Sequence, residues 1–163
     1  MELESALLIT PPRPVQAFAY PIREEYDPDS FAKVPAHFTF FYPFVPADQS
    51  DAAEEVLKPI CAKHSAFEVT LERYGQFEDI VFLEPTDPEP LIALYTSLSE
   101  AYPDYARDDF HPHLTLGRAK DPSTISLPDP PSFTFTVDSI RIYVGSPEDH
   151  VAPYIPRLTI PLG

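Results

Sequence analysis

Two segments of this chain repeat one pattern of alternating polar and apolar side chains. They are His37-Phe38-Thr39-Phe40 and His113-Leu114-Thr115-Leu116. Successive side chains of a β-strand point to opposite faces, so each His shares a face with its Thr while the apolar residues face a core. Two such strands side by side would present two imidazoles and two hydroxyls to one cleft. That set of groups suits acid–base chemistry on a phosphodiester.

The elements that must position these motifs can be predicted from periodicity and turn residues. Strands are predicted near residues 4–10, 35–44, 67–74, 80–84, 112–119, 133–144 and 154–162, and helices near 15–26, 48–64 and 88–102. Pro59 is expected to kink or stop the second helix, and Asp27-Pro28-Asp29-Ser30 is expected to form a turn. Each motif strand follows a helical stretch, and 76 residues separate His37 from His113, about half the chain. The sequence therefore predicts an α+β fold with two similar lobes, each contributing one motif strand.

Composition limits the classes of partner. The chain has 163 residues, with 26 acidic and 11 basic side chains and a formal net charge of −15. High affinity for long nucleic acid is therefore not expected, because such affinity comes mainly from Lys and Arg. A small nucleotide or an RNA end remains compatible with this charge. No apolar run approaches the roughly 20 residues that span a bilayer, so no membrane partner is expected. Cys61 is the single cysteine, which excludes an internal disulfide, and we expect a cytoplasmic monomer.

The motifs resemble those of the 2H phosphoesterase superfamily, which includes 2′-5′ RNA ligases and RNA 2′,3′-cyclic phosphodiesterases. The matching stretches are residues 35–44 and residues 110–118. The resemblance implies a single bilobal domain over residues 1–163, in which two mainly antiparallel sheets flank a central cleft and helices lie outside. It also implies opening or closing of cyclic or 2′-5′ phosphodiesters without a metal ion or cofactor, on nucleotides or RNA ends.

The resemblance assigns roles to the four polar motif residues. His37 and His113 would be the catalytic base and acid, and the sequence leaves open which is which. Thr39 and Thr115 would bind the non-bridging phosphate oxygens, whose charge changes in the transition state. A non-catalytic module that binds a nucleotide or phosphorylated ligand through the same residues is the alternative function.

Arg118 is a further phosphate-binding candidate, because several members of the superfamily have a basic residue at this position. Strict alternation would place Arg118 on the opposite face from His113. It reaches the cleft only if the strand bends or bulges at Gly117; otherwise it is a surface charge.

Three other residues have weaker signals. Tyr42 and Tyr154 are candidates for stacking on a base, with core packing as the alternative. His111 and His113 form a His-x-His pair that could bind a metal ion with His37 as a third ligand, although no carboxylate is spaced to assist. The other interpretation of His111 is a residue at the start of a strand.

Overall fold

The computed structural model describes residues 2–163. These residues form eight strands and four helices. The strands are β1 (Glu4–Ile9), β2 (Phe38–Phe41), β3 (Phe67–Phe77), β4 (Ile80–Pro85), β5 (Leu114–Arg118), β6 (Phe133–Val137), β7 (Ser139–Gly145) and β8 (Ile155–Pro161). The helices are α1 (Arg13–Tyr26), α2 (Pro28–Lys33), α3 (Ser50–Ala62) and α4 (Glu89–Ala101). None of the helices in this range is long and apolar enough to cross a membrane.

The strands of residues 2–163 form one curled antiparallel sheet in the order β6-β3-β4-β5-β2-β1-β7-β8. The α+β class is confirmed, but the two separate sheets implied by the resemblance are replaced by one continuous sheet. Its two four-stranded halves meet between β5 and β2, where Phe38 pairs with Leu114. The motif strands are therefore neighbours at the centre of the sheet, and the junction between the halves is one residue pair long within the described chain.

The hydrophobic core fills the space between one face of the sheet and the helices. α3 buries Ala53, Leu57 and Cys61, which are four residues apart and therefore on one side of the helix. α4 buries Leu91, Leu94, Tyr95 and Leu98 in the same way. These side chains join the inward-facing residues of both sheet halves in one continuous cluster. Each fully buried Leu contributes about 1.5–3 kcal/mol relative to exposure.

Three predicted elements differ in the structure. The predicted turn at residues 27–30 is instead the start of α2. Pro59 lies inside α3 without ending it. Proline has no N–H to donate to the carbonyl of Glu55, but both residues are exposed, so water can bind that carbonyl instead. The predicted strand over 133–144 is two strands, since β6 pairs with β3 and β7 pairs with β1 and β8 in the other half.

Leu114 tests the importance of the junction for stability. Its side chain is 0% exposed, so Leu114→Ala leaves a cavity where the two halves meet and should lower the free energy of unfolding by about 2–5 kcal/mol. Leu3 is 46% exposed, and Leu3→Ala should change it by less than about 0.5 kcal/mol. Urea denaturation of both variants measures the difference, and equal losses would contradict a buried junction.

Candidate active site

The four polar motif residues lie on the face of the sheet opposite the core. Phe38 and Leu114 are 2% and 0% exposed and belong to the core cluster. Their immediate neighbours along each strand must point the other way. Those neighbours are His37, Thr39, His113 and Thr115.

The register between β2 and β5 brings the motifs together. Because the strands are antiparallel with Phe38 opposite Leu114, continuing the register by one residue places His37 beside Thr115 and Thr39 beside His113. Directly opposed residues have Cβ atoms about 4.5–5.5 Å apart. The charge of His113 acts on His37, which agrees with this local two-fold arrangement.

Both motif histidines make the same bond to the backbone. The Nδ1–H of His37 donates to the carbonyl of Pro35 at 2.8 Å, and the Nδ1–H of His113 donates to the carbonyl of His111 at 2.6 Å. A carbonyl can only accept, so each Nδ1 carries the proton. In both neutral rings Nε2 is therefore the unprotonated nitrogen, and it is the one that can take or give a proton.

Burial keeps the His37 imidazole neutral. It lowers the pKa of His37 from 6.5 to about 4, although the bond to Pro35 acts in the opposite direction. The positive charges of Arg23, His113 and Arg118 lower this pKa further. His37 is therefore in the form that accepts a proton throughout the neutral range.

The pKa of His113 is also lowered, and burial is again the main cause. The bond to the His111 carbonyl opposes the shift, while positive charge at His111, Arg118 and Arg107 adds to it. Arg118 acts on both motif histidines, which places its guanidinium within electrostatic reach of each ring.

A β-bulge in β5 determines the direction of Arg118. Thr115 pairs with Phe82 of β4, but Arg118 pairs with Ile80, so Leu116 is an extra residue in the ladder. Phe82 and Ile80 are two residues apart and share a face. Thr115 and Arg118 therefore share that face as well, which strict alternation would not allow.

β2 has the equivalent bulge. Thr39 pairs with Leu8 of β1 and Phe41 pairs with Leu7, so Phe40 is the extra residue. In both motifs the bulge follows the Thr. Tyr42 lies five residues after His37, as Arg118 lies five residues after His113.

Tyr42 and Tyr154 share one carboxylate partner. The Tyr42 hydroxyl donates to Glu4 Oε1 at 2.6 Å, and the Tyr154 hydroxyl donates to the same oxygen. The Tyr42 ring is 57% exposed, whereas Tyr154 is half-buried. Of the two candidates for base stacking, Tyr42 offers the accessible ring surface.

Aromatic rings that the sequence analysis missed pack beside His113. The ring centroids of Phe77 and Phe82 are each 5.2 Å from that of His113. Phe82 is buried, but Phe77 is 38% exposed. Their approach depends on the β3–β4 pairing, which a linear sequence does not reveal.

His111 is held by a carboxylate. Its Nε2 lies 3.1 Å from Glu84 Oε2, and the other oxygen of Glu84 is 2.8 Å from Arg73 Nε. Among residues 2–163 no group of three His, Cys, Asp or Glu side chains is arranged to hold a metal ion. The structure thus brings His111 near His113, with the ring centroids 6.4 Å apart, and links it through Glu84 to Arg73 by hydrogen bonds.

Two buried charged residues next to Arg118 were also missed. Asp27 Oδ1 lies 3.4 Å from Arg118 Nε, and the Asp27 side chain is 5% exposed. Arg23 is 4% exposed and donates to the carbonyl of Val34 at 2.8 Å. Charged residues near the end of a helix are normally expected in solvent, so composition and periodicity contain no signal for this cluster.

Comparison with known proteins shows the family to which this chain belongs. The family model of the 2′-5′ RNA ligase superfamily matches residues 11–149, so the chain belongs to that superfamily, and the resemblance to 2H phosphoesterases is confirmed. A Geobacillus kaustophilus protein provisionally named phosphoesterase GK0864 is 28% identical over 124 residues, covering 71% of this chain and 69% of that protein. Crystal structures of Escherichia coli LigT complexed with NADP+ and with ATP are 26% and 25% identical. Both have a TM-score of 0.70 and cover 99% of this chain and 98% of LigT.

The low pKa of His37 predicts a pH dependence of stability. Between pH 6.5 and about 4 the unfolded chain binds a proton at this residue that the folded protein does not bind. The stabilisation is therefore fully present above pH 6.5 and is lost as the pH falls toward 4. Urea denaturation across this range should show a decline that is smaller in His37→Asn. His150 is exposed, and His150→Asn should decline like the wild type; an unchanged decline in His37→Asn would contradict the prediction.

Proposed function

We propose that this protein is a phosphoesterase that opens 2′,3′-cyclic phosphodiesters of nucleotides or RNA ends by two-histidine acid–base catalysis without a metal ion. The observation that carries the proposal is the β2–β5 register, which sets His37 and His113 on one face with matching tautomers. Membership of the superfamily supports phosphoesterase activity.

In the ring-opening direction His37 is the base. Its Nε2 takes a proton from water, the water oxygen bonds to phosphorus, and the bond from phosphorus to one ribose oxygen breaks. His113 Nε2–H gives its proton to that leaving oxygen. This assignment follows from the pKa of His37, about 4, and from the anionic phosphate, which favours the protonated form of the second imidazole. In the reverse direction the two roles exchange.

The other site residues stabilise phosphate charge. The Thr39 and Thr115 hydroxyls donate to the non-bridging oxygens, and Arg118 supplies a cation that lies on the same face as Thr115. Such donors have their largest effect when they are fixed in place before the charge develops.

The charge distribution favours a small substrate. The formal net charge of −15 disfavours a long polyanion, but Arg118, Arg107 and Arg23 act on the motif histidines and give the cleft a local positive potential. LigT has been crystallised with ATP and with NADP+, which supports a nucleotide-sized ligand here. The exposed rings of Tyr42 and Phe77 offer surfaces for a base.

The two histidines are tested by turnover of 2′,3′-cyclic nucleotides. His37→Ala and His113→Ala should each lower kcat by about a hundredfold or more, because each removes a proton-transfer group. The exposed control His150→Ala should retain activity, and chelator should change none of these rates. Phosphate binding without turnover of any cyclic substrate would instead favour a binding module, and chelator-sensitive turnover would contradict the metal-free mechanism.

The two threonines are tested separately. Thr39→Ala and Thr115→Ala should each lower kcat by roughly tenfold to a thousandfold through loss of a transition-state hydrogen bond. Thr39→Ser keeps the hydroxyl and should retain most of the activity, as should Thr159→Ala on the edge strand β8. Unchanged rates in both alanine variants would remove the threonines from the mechanism.

A further inference from the structure

Asp27 is a buried carboxylate with incomplete hydrogen bonding. Its side chain is 5% exposed, and its Oδ2 is buried with no hydrogen-bond partner among residues 2–163. Burial raises the pKa of this carboxyl, although the charges of Arg118 and Arg23 oppose the shift. Burying a charge without full hydrogen bonding is unfavourable for stability. The position therefore calls for a role other than stabilising the fold.

Helix capping does not explain the side chain. Asp27 is the N-cap of α2, where Asp normally accepts a bond from the first turn, but it makes no side-chain cap bond. The backbone of Asp27 links the two helices instead. Its amide donates to the carbonyl of Arg23 in α1 at 2.8 Å, and its carbonyl accepts from the amide of Phe31 in α2 at 2.9 Å. The carboxylate is left to face Arg118, with Oδ1 at 3.4 Å from Nε.

The approach of α1 to β5 requires a glycine. A Cβ at Gly117 would lie 2.7 Å from the Cβ of Tyr26 and 3.1 Å from Cδ1 of Ile125. Because Gly117 has no Cβ, Tyr26 packs directly against β5 at Gly117, the residue before Arg118. Asp27 follows Tyr26 in the chain, so this close packing places its carboxylate next to the guanidinium.

We propose that Asp27 is the positioning residue of Arg118: it holds the Nε edge of the guanidinium so that the Nη groups face the substrate phosphate. The inference rests on the proposed function for the identity of the anion. The Arg118 side chain is 51% exposed, and a free Arg side chain of this kind samples many rotamers. A fixed anion at Nε restricts those rotamers before substrate binds, and the planar guanidinium keeps its other edge available.

Arg23 completes the arrangement. It is buried, and it donates to the Val34 carbonyl at 2.8 Å and lies 3.4 Å from the Ser30 hydroxyl. The positive charges of Arg23 and Arg118 both act on Asp27 and lower the pKa of its carboxyl. These two cations favour the charged form of Asp27, which is the form that binds Arg118, against the effect of burial.

Kinetics test the positioning role. Asp27→Asn should lower kcat by about tenfold to a hundredfold, the size of effect expected when a catalytic group is misplaced. Asp29→Asn, two residues away and exposed, should change kcat by less than about twofold. In an Arg118→Ala background, Asp27→Asn should have less than about a twofold effect, because Asp27 acts through Arg118. Wild-type kcat in Asp27→Asn, or additive losses, would overturn the proposal.

A spectroscopic readout needs no substrate. In the NMR spectrum of the wild type, the Arg118 Nε–H signal, assigned by its absence in Arg118→Lys, should be protected from exchange. It should shift and exchange faster in Asp27→Asn but remain unchanged in Asp29→Asn. An unchanged signal in Asp27→Asn would overturn the proposal even if no cyclic nucleotide is turned over, so failure here is distinct from failure of the proposed function.

Arg118→Lys also covers the case in which Asp27→Asn does not fold. It keeps the charge at an exposed position but removes the planar group that can bind Asp27 and phosphate at once. Its kcat should fall close to that of Arg118→Ala. Wild-type kcat in Arg118→Lys would overturn the proposal.

Discussion

The pairing of Phe38 with Leu114 is the interaction on which the site depends. It is the junction between the two halves of the sheet, and it fixes which residues of β2 and β5 face each other. Because side chains alternate along a strand, a slip of one residue would turn an entire motif toward the core. Burial of both apolar side chains against the helices opposes such a slip. The core therefore sets the positions of the two imidazoles through side chains on the opposite face of the sheet.

The charges around the motif histidines differ in sign from the net charge of the whole chain. The protein is strongly acidic, yet the charges that act on the motif histidines are mainly those of arginines. Burial and these cations both favour neutral imidazoles before substrate binds. Under the proposed function, a phosphate at this site would oppose the effect of the cations, since its negative charge favours protonation. The buried carboxylate of Asp27 balances part of the positive charge of Arg118.

Much of the fold and the core of the candidate site could be predicted from the sequence. Alternation shows which face His37 and Thr39 occupy, and helical periodicity locates α3 and α4. The sequence named a bulge at Gly117 as the condition for Arg118 to reach the face of His113, but whether the bulge forms depends on pairing with β4, which the sequence does not contain. The bulge in β2 was not predicted, because it is defined by pairing with β1. The single sheet was missed because its halves share so short a ladder. Asp27 was missed because a buried charge is recognised by its three-dimensional partners, and patterns along the chain do not contain them.

The bulges in β2 and β5 have a consequence for the orientation of a ligand bound between the two motifs. Because the motifs repeat on antiparallel strands, an approximate two-fold axis relates His37 and Thr39 to His113 and Thr115. These four residues alone would not select one of the two opposite orientations of a phosphodiester. The residues just past the bulges remove that degeneracy, since Tyr42 is aromatic and Arg118 is cationic. For a ligand of the proposed kind, the two ester oxygens are then in chemically different surroundings, and the ligand has one preferred orientation.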